Sequence, residues 1–339
     1  MPIGPVRPGP RNLVTDIAGV AVGNAEDMRL RSGVTVLLCE RPAVAAVDVR
    51  GGAPGTSETD SLDPTCIAGR IEAVVLSGGS AFGLDAASGV RGWLAQRGRG
   101  LAFGGAIVPV VPAAILFDLT NGGDKAWGDT PPYRALAARA CDAAAVDFAL
   151  GNAGAGLGAR AGQLKGGLGS ASFVLAEGPC VGALVAANPW GSVVHPGTTG
   201  FYAWSLEQAG ELGGQVPPTV PLDPTQHLDG KRAVPAGNTT IGIVATDAEL
   251  TQVEARRLAL MAHDGYARAI RPVHTPFDGD TIFALATGRV PLPEPRPLWL
   301  ARLGTLAADC MARAIARGVY EAESIGPIES YRDFRARGG

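Results

Sequence analysis

Glycine and proline punctuate this chain densely, with 48 glycines and 26 prolines among 339 residues. Glycine costs entropy inside regular elements and proline removes an amide donor, so both collect at turns and at close backbone contacts. Neither residue follows a fixed period, which excludes collagen-like and low-complexity classes. A fold of short elements joined by tight turns remains. With 46% apolar and 18% charged residues the chain can bury a large core, so disorder is excluded as well.

Two periodicities alternate along the sequence. Residues 34–39 and 43–49 read as strands, and residues 73–76 form an apolar run ending in Ser77-Gly78-Gly79-Ser80 before a helical stretch over 81–97. Pro131-Pro132 opens a helix over 133–145. Residues 151–169 hold eight glycines, and 170–188 read as two strands joined by a Gly-Pro turn. Residues 210–235 show no sustained apolar period and are expected to form an exposed linker. Residues 240–245 alternate as a strand, and Thr246-Asp247-Ala248-Glu249 has the form of a capping box for a helix reaching residue 270. A strand over 281–286 and a helix over 298–317 complete an α/β chain read as one domain without internal repeats.

Several functions are excluded early. The net charge of −3, with 29 Lys and Arg spread along the chain, offers no basic stripe for nucleic acid. The longest apolar run, 106–117, is cut by Pro109 and Pro112 and reads as buried strand, so no membrane partner is expected. The first ten residues resemble neither a signal nor a transit peptide, which makes the cytoplasm the expected compartment. Cys39, Cys66, Cys141, Cys180 and Cys310 are odd in number and widely spaced, and they read as buried reduced thiols. His195, His227, His263 and His274 show no metal-ligand spacing, so no metal is expected. Triads assemble from distant positions, and nothing in the sequence singles out one histidine.

The turn after residues 73–76 approaches two known patterns and misses both by one residue. A nucleophile elbow needs Gly-x-Ser-x-Gly, but Gly83 comes one place late. A dinucleotide fingerprint needs three glycines where Gly78, Ser80 and Gly83 supply two. The stretch Gly237-Asn238-Thr239-Thr240 reads either as a turn feeding a strand or as a self-cleavage site. In the second case Thr239 becomes an N-terminus that carries nucleophile and base together, because an α-amine titrates near 7.7–8.0. Asp278-Gly279-Asp280 is a solvated turn or a support for such a nucleophile. Lys165, amid small residues, is solvated or faces a pocket where negative charge develops.

Taken in order, Thr15-Asp16-Ile17-Ala18-Gly19-Val20, Gly51-Gly52-Ala53-Pro54-Gly55-Thr56, Leu76-Ser77-Gly78-Gly79-Ser80-Ala81-Phe82-Gly83-Leu84, Gly154-Ala155-Gly156, Leu164-Lys165-Gly166-Gly167, Ala187-Asn188 and His274-Thr275-Pro276-Phe277-Asp278-Gly279-Asp280 form a series. The series resembles the self-processing aminopeptidases and amidases: D-aminopeptidase/esterases, β-peptidyl aminopeptidases and nylon-oligomer endohydrolases. The resemblance implies a four-layer αββα sandwich of the N-terminal nucleophile hydrolase kind. It implies one domain cut between Asn238 and Thr239 into an α chain, 1–238, and a β chain, 239–339. Thr239 would be the nucleophile and Asp278 and Asp280 its orienting pair. Lys165 and Asn188 would be active-site residues, Asn188 donating its amide to the oxyanion.

Threonine with two aspartates is similar to the nylon-oligomer (6-aminohexanoate oligomer) branch, whereas the aminopeptidase branches use serine with a Ser/Glu pair. Linear-amide hydrolysis through an acyl-enzyme is the expected activity, with aminopeptidase action on β- or D-amino-acid peptides as the alternative. Phe117, expected at the substrate site, stands where relatives often carry tyrosine, and Ser57 stands where an arginine clamp for a carboxylate is expected. An ornithine acetyltransferase-like acyltransferase shares the fold and the self-cleavage at threonine, but carries Ala-Thr-Met-Leu at its cut. A glycine-rich binding protein would stay one intact chain. The chemistry needs no cofactor, and a homo-oligomer of the processed unit, dimer or tetramer, is expected by the same resemblance.

Overall fold

The computed structural model describes residues 4–223 and 237–338. The main elements are β1 (Val20–Asp27), β2 (Ser32–Val49), β3 (Arg70–Ser77), α1 (Asp85–Ala95), β4 (Ala113–Ile115) and α2 (Tyr133–Asp142). They are followed by β5 (Gly167–Leu175), β6 (Val181–Asn188), β7 (Thr239–Ala248), α3 (Gln252–Ala269), β8 (Thr281–Val290) and α4 (Arg296–Glu321).

Hydrogen bonding runs β5-β6-β7-β8-β2-β3-β4, with β1 also on β2. The eighteen-residue β2 is the hinge of this ladder. Its first half pairs with β1 and β3, its second half with β8, and the pairing with β3 shifts between Leu38 and Ala43. One continuous ladder therefore folds into two facing layers.

Three apolar clusters fill the three spaces between four layers. Ile241, Ile243 and Ala245 of β7 and Phe283 and Leu285 of β8 face Leu37, Val74 and Leu76 across the gap between the sheets. Val244 and Ala284 point the other way, onto α3 and α4. Ala73 and Val75 of β3 point outward to α1 and α2. The period of two sorts alternate residues of each strand to opposite faces, and because both faces are covered β7 is buried almost throughout. The result is the α-β-β-α layering that the sequence led us to expect.

Several elements differ from the sequence expectation. The two strands over 34–39 and 43–49 are one. The helix expected over 81–97 begins with a 3-10 turn, Ser80–Leu84. The Thr246–Glu249 box does not open a helix, because the ladder holds that backbone: Thr246 pairs with Val181 and Ala248 with Val290. The box that does so lies five residues on, where Glu254 N donates to Thr251 Oγ1 and Thr251 N to Glu254 Oε2. The 106–117 run is not one buried strand. Ala106–Val108 forms an exposed hairpin with Leu101–Phe103, and Pro109 and Pro112 separate it from buried β4. Cys66 is exposed in a loop and Cys180 half-buried, so only Cys39, Cys141 and Cys310 meet the expectation of burial. Of the expected linker, 224–235 lies outside the described residues, as does His227.

Candidate active site

The connection from β7 through α3 to β8 is a crossover between parallel neighbours, so both strands start at the same end of the sheet. That geometry lays Asn238 beside Asp278 as a bridge pair. On the other side β6 runs antiparallel, and its last residue, Asn188, pairs with Thr239. Gly167, two residues after Lys165, pairs with Ala187. Four stretches distant in sequence meet at one sheet end, and they carry Lys165, Asn188, Asn238, Thr239, Asp278 and Asp280.

Thr239 is buried, and its hydroxyl is hydrogen-bonded to the carbonyl of Asn238, the residue before it. The Gly279 N–H donates both to Thr239 Oγ1 at 3.1 Å and to the Asn238 carbonyl at 3.1 Å. No side chain fits at Gly279: a Cβ there would lie 2.8 Å from Thr239 Oγ1 and 2.7 Å from the Ala53 carbonyl. Gly51 is similarly constrained, since a Cβ would lie 2.3 Å from both Asp278 O and Asp280 N. Two glycines thus let the 51–54 segment wrap the Asp-Gly-Asp loop, where Ala53 N donates to Asp278 O.

The two aspartates are fully engaged by donors. Asp278 Oδ1 accepts from Trp190 N at 3.0 Å, and Oδ2 from the Thr275 amide and hydroxyl at 3.2 and 2.5 Å. Asp280 Oδ1 accepts from Thr240 N at 2.8 Å, while Oδ2 accepts from His274 N at 3.1 Å and is 2.8 Å from His274 Nδ1. Burial first, and then the neighbouring Asp280 charge, push the Asp278 carboxyl up. Neither carboxylate is hydrogen-bonded to the Thr239 hydroxyl among the described residues. Asp280 is tied to Thr239 through the amide of Thr240, the next residue.

Lys165 is buried, which removes the solvated reading, and Nζ donates to the Gly156 and Gly166 carbonyls at 2.8 and 2.7 Å. Desolvation lowers its ammonium from the ordinary 10.5 to about 7, with the Asp118 charge opposing. Asn188 accepts from Arg160 N and donates to the Phe117 carbonyl at 3.2 Å, which leaves a second amide hydrogen on Nδ2. A cleft of about 240 Å³ adjoins these groups, lined among others by Phe117, Asp118, Arg160, Asn188 and Asn238. The Phe117 ring packs on Gly237. Ser57 lies in a two-residue strand on β4.

Sequence reasoning did not single out His274, Asp118 or Arg160. His274 sits in the left-handed region at φ 54°, which is uncommon for histidine and which no spacing announces. Asp118 accepts from Ser32 Oγ and from Gly79 N in the turn before α1. The Gly78-Gly79-Ser80 turn therefore packs on an acidic wall of the cleft. Among the described residues no cluster of three or more His, Cys, Asp or Glu side chains could hold a metal, and no helix is long and apolar enough to cross a membrane.

Residues 12–331 match the family model described as peptidase family S58. The chain belongs to peptidase family S58. Within it, an uncharacterised aminopeptidase of Mycobacterium tuberculosis is 44% identical, over 95% of this chain and 97% of its own length. A 6-aminohexanoate-oligomer endohydrolase of Agromyces sp. is 31% identical, over 86% of this chain and 79% of its own. Among solved structures, a beta-aminopeptidase of Burkholderia sp. superposes with a TM-score of 0.70 at 25% identity, covering 100% of this chain and 97% of that one. The L-aminopeptidase D-Ala-esterase/amidase of Ochrobactrum anthropi, described as a variant of the Ntn hydrolase fold, gives 0.69 at 23% identity, over 99% and 95%. The S58 chain described here is a hydrolase of amide bonds on the N-terminal nucleophile fold.

Proposed function

We propose that this chain is a self-cleaving N-terminal threonine amidohydrolase that acts on linear amides through an acyl-enzyme. The observation that carries this reading is the meeting of two donors on one peptide bond: the Thr239 hydroxyl and the Gly279 N–H are both hydrogen-bonded to the Asn238 carbonyl. Attack of Thr239 Oγ on that carbonyl carbon, with the hydroxyl proton passing to the departing Thr239 nitrogen, exchanges the amide for an ester. Water then hydrolyses the ester and leaves a carboxylate on Asn238 and a free amine on Thr239. The Gly279 N–H supplies an oxyanion donor, and one such donor is worth about 3 kcal/mol of transition-state stabilisation.

The same atoms would then serve a substrate. The Thr239 amine takes the hydroxyl proton as Oγ attacks the substrate carbonyl, and passes it to the leaving amine. Water releases the acyl group in the reverse sense. Gly237 and Asn238 line the cleft in the uncut chain, so their release opens it toward Oγ. The free Nδ2 hydrogen of Asn188 and the Lys165 ammonium are the further groups we assign to the developing oxyanion.

Threonine with two aspartates supports 6-aminohexanoate-type oligomers as substrates. The 44% identity to a protein named as an aminopeptidase supports a second reading, removal of N-terminal residues from short peptides, β- or D-amino acids included. Intact-mass spectrometry with N-terminal sequencing tests the nucleophile: two fragments, the second beginning Thr239-Thr240-Ile241, are expected, and one chain unchanged on long incubation would overturn the proposal. Assay of the processed protein on linear 6-aminohexanoate trimer and on β-alanine and D-alanine p-nitroanilides separates the two substrate readings.

A further inference from the structure

Behind Asp280 lies a chain of ionisable groups that reaches the surface. On the loop before β8, His274 presents both its backbone N–H and ring Nδ1 to Asp280 Oδ2. A carboxylate only accepts, so Nδ1 carries the proton. The His274 ring meets His263 of α3 with centroids 5.0 Å apart, and Tyr266 of the same helix at 6.0 Å. His263 Nε2 in turn lies 3.1 Å from the Asp48 carbonyl and 3.3 Å from Asp48 Oδ2, at the end of β2. Asp48 is held by Arg50 Nε at 2.8 Å. Since both Asp48 atoms are acceptors, His263 carries its proton on Nε2, and its buried Nδ1 has no hydrogen-bond partner among the described residues.

Two features set this arrangement apart from ordinary packing. His274 is held in the left-handed region, a costly conformation for a residue with a side chain and one that concentrates at functional sites. The backbone so twisted delivers two donors to a single oxygen of the one carboxylate that also binds the amide after Thr239. Buried neighbours decide where charge goes. Desolvation, opposed by the Asp48 carbonyl and reinforced by the charge of His274, lowers His263 to about 4.

We propose that His274 is a positioning residue for hydrolysis, which fixes the Asp280 carboxylate under the 239–240 amide by delivering two donors, its backbone N–H and its ring Nδ1–H, to Oδ2. This rests on Thr239 being the nucleophile that Asp280 supports.

The test has two arms, one independent of activity. In the uncut Thr239→Ala protein, nitrogen NMR of the imidazoles is expected to find His274 protonated at Nδ1, with a resonance that moves on Asp280→Asn. An Nε2-protonated neutral ring, or one indifferent to Asp280→Asn, would overturn the inference. In processed protein assayed on 6-aminohexanoate trimer and β-alanine p-nitroanilide, His274→Ala is expected to lower kcat by about 30-fold or more with KM within about threefold. His274→Asn is the decisive variant, because Asn tolerates the left-handed region and its amide can still donate. It is expected to recover most of the lost kcat with KM unchanged. Failure of His274→Asn to recover kcat, or an unchanged kcat in His274→Ala, sinks the proposal. A wild-type protein that hydrolyses neither probe would instead refute the functional reading, and the NMR arm would still decide this one.

Discussion

Thr239, Gly279 and Lys165 each make a prediction that depends on a single group. Thr239→Ala removes the oxygen that contacts the Asn238 carbonyl and is expected to leave one uncut, inactive chain, whereas Thr239→Ser keeps the hydroxyl and is expected to process; mass spectrometry separates them. Gly279→Ala drives a methyl to 2.8 Å from Thr239 Oγ1 and is expected to slow processing by about a hundredfold or more, from loss of one donor and its geometry. Asp278→Ala and Asp280→Ala are expected to slow hydrolysis strongly. Lys165 links the site to stability. Unfolded, it holds its proton up to about 10.5; folded, it releases it at about 7, so the unfolded state binds more protons between those values and stability rises with pH across that window. Lys165→Met is expected to flatten that rise in denaturant titrations. Thr239, Lys165, Asn188 and the two aspartates stood out in the sequence through motif order. His274 and Asp118 did not, because their importance comes from a positive φ and from a turn closing on a distant carboxylate, which no local pattern records.

At the scale of elements, alternating apolar residues and glycine turns made most strands visible, while their ends were set by pairing. The Thr246 and Thr251 boxes have the same local form, and only the ladder to Val181 and Val290 decides that the first stays extended. Thr251→Ala is therefore expected to destabilise the protein by about 1 kcal/mol, and Thr246→Ala to act through the lost bond to Cys180 O rather than through helix α3; urea titration with helical circular dichroism checks both. The 106–117 run misled because composition cannot tell an exposed apolar hairpin from a buried strand when prolines divide it. The merging of two strands into β2 was equally hidden, since residues 40–42 between them are exposed and polar in part. Yet that merger joins the two sheets.

On the scale of the whole molecule, the proposed cut would leave β7 and β8 paired in the middle of the ladder, flanked by β6 and β2 of the other fragment. A buried ion pair adds a second tie: Arg313 of α4 meets Glu211 at 2.6 Å and Asn12 Oδ1 at 2.8 Å. The fragments are expected to co-elute on size exclusion without denaturant. Arg313→Met removes the nearer of the two arginines on the buried Glu211 carboxylate, leaving Arg317 at 3.5 Å, and is expected to cost up to about 3–5 kcal/mol in urea titration.

The placement of β7 also orders events in time. Its first residue meets Asn188, Gly279 and Asp280 only after strands from both ends of the chain have closed around it, so on the mechanism proposed here the amine that makes the enzyme cannot be released by a chain that has not folded. On that mechanism the precursor would be a zymogen that needs no second protease, and its activation would double as quality control: correct tertiary structure would be the activating signal, and a misfolded copy would stay chemically silent.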